Sequence, residues 1–412
     1  MQEAACAVAP LELRALIEAG LLEQQGDQVR ARYQLQVYDG LLFIVDFMPL
    51  QHPPEIVLPI GPSGRYLASV TSRKGVRSAL DLGCGCGIQA LLLARHAESV
   101  TATDINPRAV ALTRINACLN GISNVEILEG SYFEPVRGRT FDLIVANLPY
   151  VITPENRYTY RDLGRGDDIP IRQNVQQMEA HLNEGGYAHL LLNWIHQENE
   201  PWWQPVDQWL EKCRAEAWLF HSSSMGPEEY ARRWILIDGK AHPAEFEAVK
   251  KKWVEWYRAQ HIERIAFGLI TLRRSEARDH WRCFLNVNQV LHEGLGDYIQ
   301  SLFEIQDYLS QFKRWAELAP QRLARWNITI KTSEPNVQEA QTIKGYLLRM
   351  RVGPVSRAAI NRLDGKISLT QAIRRSAQEA GLDSPALREQ VTREIYQLMN
   401  LGMIGPSQGA GT

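Results

Sequence analysis

Short apolar runs, each closed by a turn rich in glycine or asparagine and followed by a helical stretch, recur through the middle of the chain. Residues 78–82 and 99–104 read as buried strands, and 88–94 as an apolar helix. Asn106-Pro107 opens another helix, with Asn as the N-cap and Pro at the first helical position. Residues 141–146 read as a strand, 171–182 as a helix, Gly185-Gly186 as a turn and 188–193 as the fifth strand. The segments 202–213, 217–221, 244–258 and 265–272 continue the same alternation. Strands alternating with helices predict an α/β domain built on a mainly parallel sheet.

The two ends carry different patterns. Residues 11–18 read as a helix stopped by Gly20, and 29–32 with 41–46 read as strands, which resembles the helix-plus-hairpin end of a winged helix. After about residue 278 the chain is mostly helical, with 296–312 rich in aromatics and with strand material at 328–331 and 346–351. Residues 355–363 form a helix stopped by Asp364-Gly365, Ser368 to Gln371 is a capping box, and Ser384-Pro385 opens a third helix. Leu387, Val391, Ile395 and Leu398 line one face of that helix. The expected organisation is a winged-helix-like segment at 1–55, an α/β domain at 56–277, and a helical, winged-helix-like domain at 278–412. The stretch 349–404 resembles small domains that recruit a peptide along a hairpin edge, and also winged helices that only pack or dimerise.

Composition narrows the class. A chain of 412 residues with 45% apolar content has material for two or three domains. No run of 18 apolar residues occurs, and residues 1–10 lack a basic start and an apolar core, so neither a membrane span nor a signal peptide is expected. A cytoplasmic protein is the expectation. Six scattered cysteines without a Cys-x-x-Cys pair point away from zinc and from a disulfide framework. His96, His189 and His221 fall in or beside predicted core elements, and no metal is expected. With 45 basic and 47 acidic residues the chain has no overall basic character, and Lys250-Lys251-Lys252 and Arg273-Arg274 read as solvated.

The candidate chemistry begins at Asp81-Leu82-Gly83-Cys84-Gly85-Cys86-Gly87, a strand-to-helix turn in which bare backbone admits a ligand. Dinucleotide and nucleoside cofactors both use such turns. Asp104 ends the next strand 23 residues after Asp81, where a carboxylate accepts both ribose hydroxyls. Asp81 at the mouth of the turn would repel a pyrophosphate but suits a sulfonium and an ammonium, so S-adenosylmethionine is the expected cofactor. Farther on, Asn147-Leu148-Pro149-Tyr150 follows a strand. The Asn147 amide oxygen and the Leu148 carbonyl are placed to hold a planar NH2, and Tyr150 offers a ring face.

In these motifs the chain resembles the class I S-adenosylmethionine-dependent methyltransferases, over residues 61–274. Asp81 to Gly87 matches the first motif of that family, Asp104 its ribose acid and Asn147 to Tyr150 its fourth motif. The resemblance implies a Rossmann-like seven-stranded sheet, with cofactor contacts at Asp81, Gly83, Cys84, Gly85, Gly87, Asp104, Ile105, Ser131, Tyr132 and Asn147. Ser131 stands where the family often has an acid near the adenine amine. The fourth motif is similar to those of enzymes acting on amide or exocyclic amine nitrogen, including release-factor glutamine methyltransferases and nucleic-acid methyltransferases. Its second residue is Leu rather than the Pro of most protein-amide enzymes, a form also found in ribosomal adenine dimethyltransferases. Ser131-Tyr132-Phe133-Glu134-Pro135 and Gly164-Arg165-Gly166-Asp167-Asp168 resemble segments of the glutamine-type enzymes.

Residues 152–170 are polar and too long for a minimal connector, which suggests a lid carrying Tyr158, Tyr160, Arg161 and Asp162, with Tyr160 and Arg161 as acceptor contacts. Three functions fit. The first reading is an N-methyltransferase of a protein or peptide side-chain amide, a peptide natural-product precursor included, with a polypeptide as partner. The second is an N-methyltransferase of an exocyclic base amine, with RNA or DNA as partner. The third is a cofactor-sensing winged-helix regulator, disfavoured because the helix 386–398 offers only Arg388 and Arg393 to DNA.

Overall fold

The computed structural model describes residues 2–47, 55–72, 75–163, 167–237, 243–277, 279–287, 290–291, 293–319, 321–334 and 337–407. It divides into two compact units, residues 1–68 with 73–286, and residues 69–72 with 287–412.

The first unit opens with α1 (Gln2–Ala7) and α2 (Leu13–Glu18), then the hairpins β1 (Leu22–Gln25) with β2 (Gln28–Ala31) and β3 (Tyr33–Tyr38) with β4 (Leu41–Asp46). There follow α3 (Pro62–Val70), β5 (Ser78–Leu82), α4 (Ile88–Ala94), β6 (Ser99–Asp104), α5 (Pro107–Leu119), β7 (Val125–Glu129) and β8 (Phe141–Ala146). Next come α6 (Ile169–Met178), β9 (Leu182–His196), α7 (Gln204–Trp209), β10 (Ala215–Met225), α8 (Pro227–Ile237), α9 (Pro243–Ala259), β11 (Arg264–Arg274) and β12 (Arg282–Asn286). One sheet runs β12-β10-β11-β9-β8-β5-β6-β7. Strand β11 is antiparallel to both neighbours and every other pairing is parallel.

This is the expected Rossmann-like α/β architecture with one strand more than the seven anticipated. The eighth is β12, which pairs with the otherwise open edge of β10, from Ala217↔Arg282 to His221↔Asn286. An uncovered edge presents unpaired N–H and C=O groups, and β12 satisfies them. The boundary expected at residue 277 therefore moves beyond Asn286. Strand order reverses between β5 and β8, and open α/β sheets bind ligands at the carboxyl ends of the strands at such a point.

The N-terminal 55 residues are not a separate domain. Asn116 in the last turn of α5 and Asn120 at its C-cap use their carboxamides as a short strand edge for β4. Ile44 N–H donates to Asn116 Oδ1 at 2.7 Å and Leu42 N–H to Asn120 Oδ1 at 2.9 Å, and both asparagines donate back to the matching carbonyls. Asp46, 5% exposed, takes two bonds from the Arg108 guanidinium. These bonds tie the hairpin to the sheet's own helix.

The second unit contains β13 (Val290–Leu291), α10 (Leu295–Leu309), β14 (Arg322–Arg325), β15 (Thr329–Glu334), β16 (Val337–Gln341), β17 (Gly345–Tyr346), β18 (Arg349–Val352), α11 (Pro354–Asn361), β19 (Asp364–Ser368), α12 (Leu369–Glu379), α13 (Pro385–Asn400) and β20 (Ile404–Pro406). Its small sheets run β15-β16-β18, β19-β14-β20 and β13-β17. Ser368 and Gln371 form a capping box on α12, and Ser384 caps α13, where Val391, Ile395 and Leu398 are buried. Where the sequence suggested only a helix stop at Asp364-Gly365, a strand begins.

Candidate active site

Local sequence builds the glycine turn. Gly83, Gly85 and Gly87 all take positive φ, +79°, +55° and +85°. At Gly83 a β-carbon would meet Leu148 at 2.9 Å, and at Gly87 it would meet Thr113 at 2.9 Å. At Gly85 nothing lies within 4 Å, so that face is open to a ligand. Cys84 is turned inward instead. Its N–H donates to the Thr103 carbonyl at 2.9 Å, its carbonyl accepts from Gly87 N–H, and its thiol is buried against Thr113. Cys84 thus builds the turn through its backbone and packs its thiol away from the open face. Burial raises the pKa values of both Cys84 and Cys86, that of Cys86 to about 12, so both stay thiols.

Two acids frame the turn. Asp81, 1% exposed, accepts a bond from Ala90 N–H at 2.9 Å in the first turn of α4, and burial lifts its pKa to about 7. Asp104 accepts from Gly85 N–H and Asn106 N–H at 2.9 Å, one on each oxygen. One carboxylate therefore ties the glycine turn to the next strand, and each oxygen retains a lone pair for a ribose hydroxyl. Ile105 beside it is 62% exposed, an apolar face suited to a flat base. Tyr132 follows Ser131 in the loop after β7 with φ +46°, a conformation a bulky residue holds only under constraint. The residue is 40% exposed, and partial burial raises the pKa of its phenol while Asn174 on α6 pulls it back. These features fit S-adenosylmethionine: an open glycine face, a ribose acid, an exposed apolar platform and a buried carboxylate near the strand end.

The Asn147–Tyr150 turn lies at the end of β8, across the switch point from the glycines. Asn147 Nδ2 donates to Ser63 Oγ at 3.3 Å. Among the described residues, no donor reaches Asn147 Oδ1 or the Leu148 carbonyl oxygen. The Tyr150 ring packs edge-on to Trp234 of α8, at 6.2 Å, and against Phe267 of β11, at 5.7 Å. Burial raises the Tyr150 pKa, while a bond to Ser63 and the Arg233 charge pull it back.

Just beyond the turn, Ile152 is clamped on both sides. Its N–H donates to the Tyr230 hydroxyl at 3.1 Å, and its carbonyl accepts from the Tyr257 hydroxyl at 2.7 Å. Asn193 of β9 donates to Tyr230 at 2.6 Å. Neither Tyr230 and Tyr257 nor Ser63 and Asn193 stood out in the sequence, because their partners lie 37 to 105 residues away. At the same carboxyl edge of the sheet, His196 and His221 share the Ser224 hydroxyl at 2.9 and 2.8 Å, and His221 also contacts Asn286. His189, expected in the core, is buried against Thr271, and desolvation lowers its pKa to about 4.

The loop expected to act as a lid is knotted onto itself. Arg161, 4% exposed, pairs with Asp162 at 2.6 Å and lies over the Tyr158 ring, while Asp162 accepts from Arg157 and Tyr158 N–H. Arg161 therefore helps to hold the loop's fold through its pair with Asp162 and its place over the Tyr158 ring. Tyr160 stacks on Tyr158 and is half-buried. Residues 164–166 of the glycine- and aspartate-rich stretch lie outside the described residues. Asp168, which is described, accepts from Ile195 N–H.

Residues 61–163 match the family model of the methyltransferase small domain. The chain is 31% identical over 191 residues to the release factor glutamine methyltransferase of Salmonella typhimurium, spanning 42% of this chain and 68% of that one. The chain belongs to the release factor glutamine methyltransferase family of class I S-adenosylmethionine-dependent methyltransferases. A putative protein N5-glutamine methyltransferase of Methanocaldococcus jannaschii is 27% identical over 168 residues, 39% of this chain and 83% of its own length. For the Xylella fastidiosa (strain Temecula1) release factor enzyme the share of the relative falls to 47%, at 34% identity over 29% of this chain. This methyltransferase thus uses S-adenosylmethionine as methyl donor. No helix among the described residues is long and apolar enough to cross a membrane.

Proposed function

We propose that this methyltransferase transfers a methyl group to the side-chain amide nitrogen of a glutamine in a protein substrate. The observation that carries the reading is the pair of oxygens, Asn147 Oδ1 and the Leu148 carbonyl, which no donor among the described residues reaches, at the carboxyl edge of the sheet opposite the glycine turn. A carboxamide NH2 brings two coplanar N–H groups, and two acceptors satisfy both. An amide nitrogen is a poor nucleophile because its lone pair is delocalised into the carbonyl. Acceptors on both hydrogens raise electron density at nitrogen and orient it, and the N–H proton held at Asn147 Oδ1 passes to solvent as the nitrogen takes the methyl group. When bound, S-adenosylmethionine supplies an electrophilic methyl carbon. Asp104 and the open face of Gly85 would hold the nucleoside, and Asp81 would face its positive charge. The names of the two relatives, a release factor enzyme and a protein N5-glutamine enzyme, point to the same acceptor class.

The test is transfer of labelled methyl from S-adenosylmethionine to a purified bacterial release factor, with total RNA in a parallel reaction. N5-methylglutamine in the protein digest is the expected result. Label in nucleosides alone would overturn the reading in favour of an exocyclic base amine. Asn147→Ala is expected to lower kcat by about two orders of magnitude or more, with little change in cofactor affinity, since orientation of the acceptor is what it removes. Turnover near the parent rate would point to a different acceptor atom.

A further inference from the structure

Gly85 presents the open face of the turn, and glycine by itself does not hold such a face in one orientation. Three successive peptide units are instead held from outside the turn. The Gly85 N–H donates to Asp104 Oδ2 at 2.9 Å, the Gly85 carbonyl accepts from the Thr113 hydroxyl at 3.0 Å, and the Cys86 carbonyl accepts from Asn116 Nδ2 at 2.9 Å. The backbone partner fixes each direction, since a carbonyl only accepts and an N–H only donates. Thr113 and Asn116 lie about one turn apart on α5, and both are fully buried.

Asn116 faces two ways. Its Nδ2 also donates to the Ile44 carbonyl at 3.0 Å, and its Oδ1 accepts from the Ile44 N–H at 2.7 Å. Two carbonyls and one N–H admit a single orientation of the carboxamide, so one side chain joins the glycine turn to β4. Asn120 pairs with Leu42 in the same manner, but its further bond goes to the Asn116 carbonyl and not to the turn.

We infer that Thr113 and Asn116 are positioning residues for the cofactor, and that through Asn116 the β3–β4 hairpin is energetically coupled to S-adenosylmethionine binding. A turn held in its binding shape beforehand spares the ligand the entropy of ordering it, so these bonds add affinity without touching the ligand. The coupling is reciprocal. A ligand seated on the Gly85 face favours the held turn, and with it the Asn116 bridge to β4. The inference concerns the methyl-donor end of the site and does not depend on the identity of the acceptor.

Thr113→Val keeps the side chain's shape and removes its hydroxyl, whereas Thr113→Ser keeps the hydroxyl. In titration calorimetry Thr113→Val should bind S-adenosylmethionine about 5- to 10-fold more weakly, the worth of one neutral hydrogen bond, and Thr113→Ser should stay within about twofold of the parent. Parent-like affinity in Thr113→Val, whatever its melting temperature, would make the hydroxyl merely structural and overturn the positioning role. An equal loss in Thr113→Ser would overturn it too, by assigning the effect to the methyl group. The hairpin arm needs no variant: in the parent protein, saturating S-adenosylmethionine should slow amide hydrogen exchange at Leu42 and Ile44 by about fivefold or more and leave the β1–β2 hairpin unchanged. Unchanged exchange in β4 overturns the coupling, as does equal slowing in β1–β2, which marks a stabilisation of the whole unit.

Discussion

Asp104 does two things with one carboxylate: it binds Gly85 and Asn106 N–H groups and still offers lone pairs outward. Hydrogen bonds to a charged group contribute about 1.5–3 kcal/mol each, so Asp104→Ala is expected to weaken S-adenosylmethionine binding at least tenfold and also to lower the melting temperature of the free protein. Calorimetry of both properties checks this; an unchanged melting temperature would mean that the glycine turn holds its shape without the carboxylate. Asp81 gives a pH signature. Burial raises its pKa from 3.8 to about 7, so the free protein carries the neutral acid below that point. A cationic ligand favours the ionised form, so affinity should climb as pH rises through about 7 and level off above it. The stability sign is the opposite: for a raised carboxyl the contribution is full below the unfolded value and is lost as pH rises through the folded one. Titration calorimetry from pH 5.5 to about 8 should show the climb in the parent protein and a flat profile in Asp81→Asn. The glycines and both acids were legible in the sequence because their geometry is local, a strand end followed by a turn. That Cys84 faces inward was not, since the thiol's partner, Thr113, sits on a different helix.

At the scale of elements, helices α8 and α9, inserted between β10 and β11, act on the acceptor turn from outside it. Tyr230 and Tyr257 satisfy the N–H and carbonyl of Ile152, which is fully buried, and Trp234 packs on Tyr150. Replacing either tyrosine by phenylalanine leaves a buried backbone group without a partner, at a cost of about 1–3 kcal/mol. Tyr230→Phe and Tyr257→Phe are therefore each expected to lower stability by that amount and to reduce kcat more than they change cofactor affinity. Denaturant unfolding together with steady-state kinetics checks both parts; a stability loss with kcat intact would confine the clamp to folding. The sequence suggested the strands and most helices in this region, but not the α8–β11 side of the site. Periodicity marks which residues are apolar, and it says nothing about which backbone carbonyl a distant tyrosine will reach. The same limit explains Arg161. A charged residue in a long polar loop looks available, and only folding shows that Asp162 and the Tyr158 ring enclose it.

For the whole molecule, the sheet is complete only with β12, which follows the stretch where the sequence pattern suggested a domain end. Two truncations separate the alternatives. A chain ending at Asn286 keeps all eight strands and should bind S-adenosylmethionine, whereas one ending at Ala277 exposes the β10 edge and should aggregate or melt earlier. Equal behaviour of the two would show that β12 contributes little. The first also removes most of the second unit, so a raised KM for a protein substrate with cofactor affinity unchanged would assign substrate recruitment to residues 287–412.

By itself the sequence determined the alternation of strands and helices, the glycine turn, the caps at Asn106, Ser368 and Ser384, and the order of the motifs that specify cofactor and acceptor turn. All of these depend on interactions within a few residues, where propensity and side-chain chemistry act without knowledge of the rest of the chain. Tertiary structure alone decided that β4 would borrow a strand edge from Asn116 and Asn120, that β12 would close the sheet, and that Ser63 would meet Asn147 across 84 residues. Those contacts satisfy polar groups that burial has removed from water. Which groups are buried, and which partner is within reach, is a property of the packed fold and not of any local stretch.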